Sequence, residues 1–394
     1  MPGLLSGLRV LDMSDYTGAT TGSFLASLGA EVIRIERPGS ASNHQTLIAR
    51  RGKKSITLNL DDRNAIALFK GLIKKSDFLI ETFRPGFLKS KGLSYEELST
   101  INPQLIHVSI TPFGQTGPYS QFLGGELVAS AMGGTLATCG YPDDTPVLEA
   151  LDACSFHACS AAAMGAMFAH RDRGLTGLGQ HIDCSIQEVA ASRNTNNLLS
   201  YQFDKRKLER AGNKVRFGVA TVRVVWELAD GYCFHSLMTG KFGAPANSAL
   251  SRWMTEEGYE NPMADVNWDT YDRSALPADT RLIWETAIAA FFKSKTKAQI
   301  RNEGHQRGIR ATVANDPTDV MNDDHLNARD FIRSVEMPNA GAIQLPDYFV
   351  RLSNSDFRNP ANIPSLGKDN TEVFSQLLDI GASELANLHA KGVI

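Results

Sequence analysis

Glu126, Asp152, Ser155 and His157 are the side chains of this sequence that could do acid–base or nucleophilic work around one centre. Ser155 with His157 two residues on forms a possible hydroxyl–imidazole pair, the ring taking the hydroxyl proton as the oxygen attacks an acyl carbon. No G-x-S-x-G elbow surrounds that serine, which weakens a serine hydrolase, and a serine just ahead of a helix has an ordinary use as its cap. The carboxylates offer other chemistry. A carboxylate can attack an activated acyl group without a base, and the anhydride it forms is still an activated donor, which a serine ester is not. His157, Asp152 or Glu126 could instead act as a base that removes a proton beside a carbonyl. Each carboxylate also has a structural use, Asp152 at a helix terminus and Glu126 as a buried, hydrogen-bonded group.

The elements that must position these groups follow from periodicity. Apolar runs at Leu8 to Met13, Glu31 to Ile35, Ser55 to Leu60, Phe78 to Glu81 and Leu105 to Ile110 predict strands. Segments with helical spacing, such as Asn64 to Lys75, separate them, and this alternation predicts an α/β domain with a mostly parallel sheet and flanking helices. Gly and Pro cluster over Pro112 to Gly125 and Gly140 to Pro146, marking loops around the reactive residues. Between Asn194 and Lys293 the pattern loosens into a smaller second domain. The expected boundaries are 1–195 for the first part of the large domain, 196–330 for the smaller one and 331–394 for the return. Gly18-x-x-x-Gly22 and a second strand ending at Glu36 also suggest a dinucleotide-binding unit, but the G-x-G-x-x-G fingerprint is absent and the oxidoreductase reading is set aside.

Composition narrows the class further. At 394 residues the chain exceeds the usual single core, in keeping with two domains. A net charge of -3 supplies no basic field for nucleic acid or an anionic membrane. No apolar run approaches the roughly 18 residues that span a bilayer and no signal-peptide layout opens the chain, so a cytoplasmic protein is expected. The five cysteines (Cys139, Cys154, Cys159, Cys184 and Cys233) contain no C-x-x-C pair; buried free thiols are expected, with neither disulfides nor a metal site.

Several motifs together carry a resemblance. Pro146-Val147, Ala161-Ala162-Ala163-Met164-Gly165, Thr176-Gly177-Leu178-Gly179-Gln180 and Ile182-Asp183-Cys184 resemble the active-site segment of the family III CoA-transferases, the group of formyl-CoA transferase and carnitine CoA-transferase. Further similarity lies at Leu8-Arg9-Val10-Leu11-Asp12-Met13, Leu28-Gly29-Ala30 to Pro38-Gly39, Arg51-Gly52-Lys53-Lys54-Ser55-Ile56, Glu81-Thr82-Phe83-Arg84-Pro85-Gly86, Asp324 to Arg329 and Pro364-Ser365-Leu366-Gly367. Nearly the whole chain is covered in family order. The stretch from Val222 to Gly258 is most similar to subunits of succinyl-CoA:benzylsuccinate CoA-transferase.

The resemblance implies coenzyme A, as an acyl-CoA substrate, and an interlocked dimer with a homologous subunit. Position for position it implies Arg37, Thr82, Phe83, Arg84 and Lys89 as CoA-binding residues and Glu126 as an acidic residue flanking the active centre. Ser90 stands where an arginine is frequent, and the basic run Arg50-Arg51-Gly52-Lys53-Lys54 is either a further phosphate patch or a solvated turn. The family's nucleophilic aspartate, counted without gaps from either side, falls on Ser155, with Asp152 three positions early. Its glycine-rich loop falls on Phe217-Gly218-Val219-Ala220-Thr221, with one glycine. Both departures point to a catalytically silent subunit of a heteromeric transferase of aromatic degradation, moving CoA from succinyl-CoA to a substituted succinate such as (R)-benzylsuccinate. The alternatives are a self-sufficient transferase using Asp152, a CoA-thioester racemase or isomerase, and a purely structural partner.

Overall fold

Strand–helix alternation builds a single six-stranded parallel sheet in the computed structural model, which describes residues 3–394 apart from 42, 218–219, 338–340, 348–349, 354–356 and 358–361. The chain divides into two compact units. One comprises Met1–Ala137, Leu148–Leu208 and Asp324–Ile394, and the other Thr138–Val147 and Glu209–Asp323.

The first unit runs β1 (Arg9–Met13), α1 (Ala19–Ser27), β2 (Glu31–Glu36), α2 (His44–Arg50), β3 (Lys54–Thr57), α3 (Arg63–Ile73), β4 (Phe78–Glu81), α4 (Phe87–Ser90), α5 (Tyr95–Ile101) and β5 (Ile106–Thr111). It continues with α6 (Glu126–Met132), α7 (Ala153–Thr176), β6 (His181–Ser185), α8 (Ile186–Arg193) and α9 (Thr195–Asp204). The sheet order is β3-β2-β1-β4-β5-β6. The inner strands are buried almost throughout because both faces are covered, and their polar members such as Asp12, Arg34 and Glu81 are buried with them. One face packs Leu11, Ile33, Ile56 and Leu79 with α3, α5 and the C-terminal helices, around Phe69, Leu98, Phe374 and Leu388. The other packs Val10, Val32, Ile80 and Val108 under α1 and α7, where Ala158, Ala162, Ala166 and Ala169 allow close approach. This order is that of doubly wound nucleotide-binding sheets, which bind ligands outside the carboxyl ends of the strands where the order reverses, here between β1 and β4.

The basic run at residues 50–54 is neither a phosphate patch nor a solvated turn. Buried Arg50 is clamped on Glu36, its Nε 2.6 Å from Oε2, and buried Lys53 donates to Asp12 at 2.7 Å and to the Ala19 carbonyl at 2.8 Å. Arg51 pairs with Asp347, and Lys54 with Glu31 and Glu372. A charge buried beneath α1 is tolerable only when paired. Burial pushes the Asp12 carboxyl up, but Lys53 and Arg34 outweigh it and hold it below its ordinary value.

This pair also explains Gly22 of α1, and Thr82 explains Gly18 at the helix start. A Cβ at Gly18 would lie 2.5 Å from Thr82 Cγ2, and one at Gly22 would lie 2.7 Å from Asp12 Oδ2 and 3.1 Å from Lys53 Nζ. They admit strand and ion pair, not a dinucleotide. Gly22→Ala should therefore destabilise the protein by about 2 kcal/mol despite alanine's better helix propensity, because overpacking outweighs it. A melt with an unchanged or raised midpoint would contradict this account.

The second unit carries an antiparallel pair, β7 (Lys214–Phe217) with β8 (Ala220–Arg223), and an antiparallel sheet of β9 (Val225–Leu228), β10 (Gly231–His235) and β11 (Ala311–Ala314). Helices α10 (Gly240–Glu256) and α11 (Ala278–Lys293) pack Trp253, Phe291 and Phe292 with Trp226 into its core. All five cysteines are free thiols; Cys154, Cys159, Cys184 and Cys233 are buried, whereas Cys139 is half-buried. Among the described residues, no helix is long and apolar enough to cross a membrane and no acidic, His or Cys cluster could hold a metal ion.

Candidate active site

The first turn of α7 is capped by a side chain from another helix. Glu126, the first residue of α6, accepts from the backbone N–H of Cys154 at 2.6 Å, from that of Ser155 at 3.0 Å and from the Ser155 hydroxyl at 2.8 Å. Orphan N–H groups at a helix start require such an acceptor, and a negative charge there also complements the helix dipole. Burial pushes the Glu126 carboxyl up, but these hydrogen bonds from Cys154 and Ser155 prevail and hold it below its ordinary value. Glu126 is thus a carboxylate fully occupied in holding α7.

Ser155 is not the cap of α7. It lies inside the first turn, buried, with its hydroxyl given to Glu126. Nor is it paired with His157, whose Nδ1 donates to the Ala153 carbonyl of its own helix at 2.5 Å. The Cys154 thiol is pushed up to about 11, by burial first and by Glu126 beside it, so it stays protonated. The hydroxyl–imidazole pair suggested by spacing does not form.

Asp152 occupies the N-cap position of α7, yet its side chain makes no capping bond, because Glu126 already fills that role. Its backbone is left-handed, φ 49°, and so is that of Leu151 before it, φ 70°. Consecutive left-handed residues without glycine are costly and need support from their surroundings. The result is an exposed carboxylate at the positive end of a 24-residue helix, with no hydrogen-bond partner among the described residues. It borders a cavity of about 320 Å³ between α1 and α2.

A second cavity, about 350 Å³, opens at the carboxyl ends of β1 to β4 and is lined by Ser14, Arg37, Leu58, Leu60, Thr82, Phe83 and Phe87 among others. It gathers three of the expected CoA residues, Arg37, Thr82 and Phe83. Phe83 stacks on Phe87 with ring centroids 4.5 Å apart, forming an apolar slot. Arg37 is exposed and pairs with Asp61 at 3.3 Å, and Asp61 also pairs with Lys91. The Thr82 hydroxyl accepts from the Asp15 N–H and fixes the loop after β1. Arg84 and Lys89 do not line the cavity. Arg84 donates to the Gln121 carbonyl, while Lys89 is exposed on α4 and the Ser90 hydroxyl folds back on Phe87. Phe87 and Lys91 escape motif reading, although an aromatic four residues beyond Phe83 is a usable signal. Of the segment 217–221, residues 218–219 lie outside the described residues, flanked by β7 and β8.

Phe83→Ala should raise KM for a substrate held in this cavity by about tenfold with little change in kcat, since a stacking face contributes roughly 1–1.5 kcal/mol of uniform binding. Steady-state kinetics in which kcat falls and KM holds would place Phe83 elsewhere in the cycle.

The site can therefore offer an unengaged carboxylate and, separately, an apolar slot bordered by Arg37. A sequence profile described as CoA-transferase family III matches residues 5–370. The chain is 32% identical to the succinyl-CoA–D-citramalate CoA-transferase of Chloroflexus aurantiacus, over 100% of this chain and 98% of that protein. It is 29% identical to a subunit of the succinyl-CoA:(R)-benzylsuccinate CoA-transferase of Thauera aromatica, over 99% and 98% respectively. A crystal structure of a CAIB/BAIF family protein from Brucella suis superposes with a TM-score of 0.83 at 25% identity, covering 96% of this chain and all of that one. The benzylsuccinate likeness is thus one of several.

Proposed function

Because this chain belongs to CoA-transferase family III, we propose that it moves CoA from succinyl-CoA to a dicarboxylic acid, with its own Asp152 as the nucleophile. The observation that carries this reading is the unengaged Asp152 carboxylate at the start of α7, set against a Ser155 hydroxyl committed to Glu126. The donor and the acid class are those of the similar citramalate and benzylsuccinate enzymes.

The Asp152 carboxylate attacks the thioester carbonyl, the C–S bond breaks, and a mixed anhydride and CoA thiolate result. The thiolate then attacks the aspartyl carbonyl, releasing succinate and leaving Asp152 as a thioester. The acceptor carboxylate repeats these steps in reverse, and Asp152 is regenerated with no net proton change. Arg37 and the Phe83–Phe87 slot would hold CoA through this exchange.

A silent subunit beside an Asp-bearing partner draws on Ser155 in the expected slot and on the single glycine at 217–221; the free Asp152 favours a competent subunit. Pairing with a homologous subunit, in the interlocked manner the family likeness implies, draws support from exposed apolar surface. No residue of α9 is buried, with Leu198, Tyr201 and Phe203 exposed, and Phe156, Met164 and Phe168 form an exposed stripe on α7. The test is to incubate the purified chain alone with succinyl-CoA, trap with hydroxylamine and map the hydroxamate by peptide mass spectrometry. Modification at Asp152 is expected. Exchange that appears only after a second, homologous subunit is added would overturn the self-sufficient reading.

A further inference from the structure

The cavity beside Asp152 differs in chemistry from the one assigned to CoA. Its walls are Tyr16, Thr20 and Ser23 from the loop after β1 and α1, and Gln45 and Ile48 from α2, with Asp152 at its edge. Among the described residues, no lysine or arginine lines it. Ser23 donates to the Ala19 carbonyl, but the Tyr16 hydroxyl, the Thr20 hydroxyl and the Gln45 amide have no hydrogen-bond partner among the described residues. These neutral donors border the nucleophile and are not used by the fold.

We propose that this cavity is the acceptor-acid pocket and that Tyr16 and Gln45 select a hydroxylated dicarboxylic acid over its deoxy or aryl-substituted counterpart. The inference rests on the transferase reading with Asp152 as nucleophile. The physical case is a match of polarity. A substrate hydroxyl both donates and accepts, so it can accept from the phenol or the amide while donating to a carboxylate. The Tyr16 phenol is available as a donor: burial, Asp15, Asp152 and Glu126 together push its ionisation above the ordinary tyrosine value, so it stays protonated. An aryl group would desolvate the free donors without replacing their bonds to water, a loss that polar sites exploit to reject unmatched ligands. At about 320 Å³ the cavity also lies at the small end of ligand pockets.

The test compares acids that differ by one hydroxyl. With the full chain and succinyl-CoA, kcat/KM is measured for citramalate, for methylsuccinate, which lacks its hydroxyl, and for benzylsuccinate, using wild type, Tyr16→Phe and Gln45→Leu. Citramalate should exceed methylsuccinate by about tenfold in the wild type, the size of one well-made neutral hydrogen bond to substrate, and the ratio should fall towards one in Tyr16→Phe and decline in Gln45→Leu. A ratio is unaffected by partial misfolding, which scales both substrates alike. Equal use of both acids by the wild type, a preference for benzylsuccinate, or a ratio unmoved in both variants overturns the pocket assignment while leaving the transferase reading intact. Transfer to none of the acids, or full transfer by Asp152→Ala, overturns the parent reading and this one with it.

Discussion

Asp152→Ala should reduce CoA transfer by on the order of 10³-fold or more, the scale of losing a covalent nucleophile, while thermal stability stays within about 1 kcal/mol of wild type. The small stability term follows from geometry. The Asp152 side chain makes no capping bond, because the first-turn N–H groups of α7 are already bound to Glu126, so its removal orphans no buried donor. Its left-handed backbone is a position where aspartate and asparagine are better tolerated than alanine, and that preference sets the residual cost. Ser155→Ala supplies the contrast: it deletes one hydrogen bond to Glu126 and leaves the nucleophile in place, so transfer should fall by less than about tenfold. The measurement is succinate release and new thioester formation under single-turnover conditions. The reverse order of the two variants, with Ser155→Ala the deeper loss, would return the reaction to the serine slot.

What the sequence makes legible and what it hides follows from interaction range. The strands at 9–13, 31–36, 78–81 and 106–111 are local apolar runs buried on both faces, so their hydrophobicity alone marks them to within a residue or so. The cavity proposed for CoA is partly legible for the same reason: Arg37, Thr82 and Phe83, which line it, each sit just beyond a strand end, where a parallel sheet presents its ligand loops. The state of Asp152 is not legible, because it depends on Glu126, 26 residues earlier in the chain and on a different helix. An ungapped count lands on Ser155, and such a count carries no information on the left-handed turn at Leu151 and Asp152 or on the helix start at Ala153. The run at 50–54 misleads in the opposite sense. Four adjacent cations look solvated, yet their partners Asp12, Glu31, Glu36, Asp347 and Glu372 come from distant segments of sequence.

Loss of the Glu126 carboxylate should be the most damaging change outside the nucleophile itself. Glu126→Ala leaves the Ser155 hydroxyl and the Cys154 and Ser155 N–H groups without an acceptor, at a cost of about 4 kcal/mol, while Glu126→Gln keeps one acceptor oxygen and should lose roughly half as much. In both variants kcat should fall by about 10²-fold, because a frayed first turn no longer holds Asp152 in place and small misplacements of a nucleophile are that expensive. Glu126 is on this account a positioning residue. A merely structural role would lower activity only in proportion to the unfolded fraction, so kcat per folded molecule, with folding followed by circular dichroism, separates the two. The pH dependence supplies an independent sign. The folded-state value of Glu126 is depressed, so the stability it contributes is complete above about pH 4.5, its ordinary value, and is lost as pH falls through the lower folded value. The difference in Tm between wild type and Glu126→Gln should be flat from about pH 6 to 8 and shrink in acid as Glu126 protonates. A difference that grows on acidification would mean that the carboxyl is raised in the fold, and the cap described for α7 would be wrong.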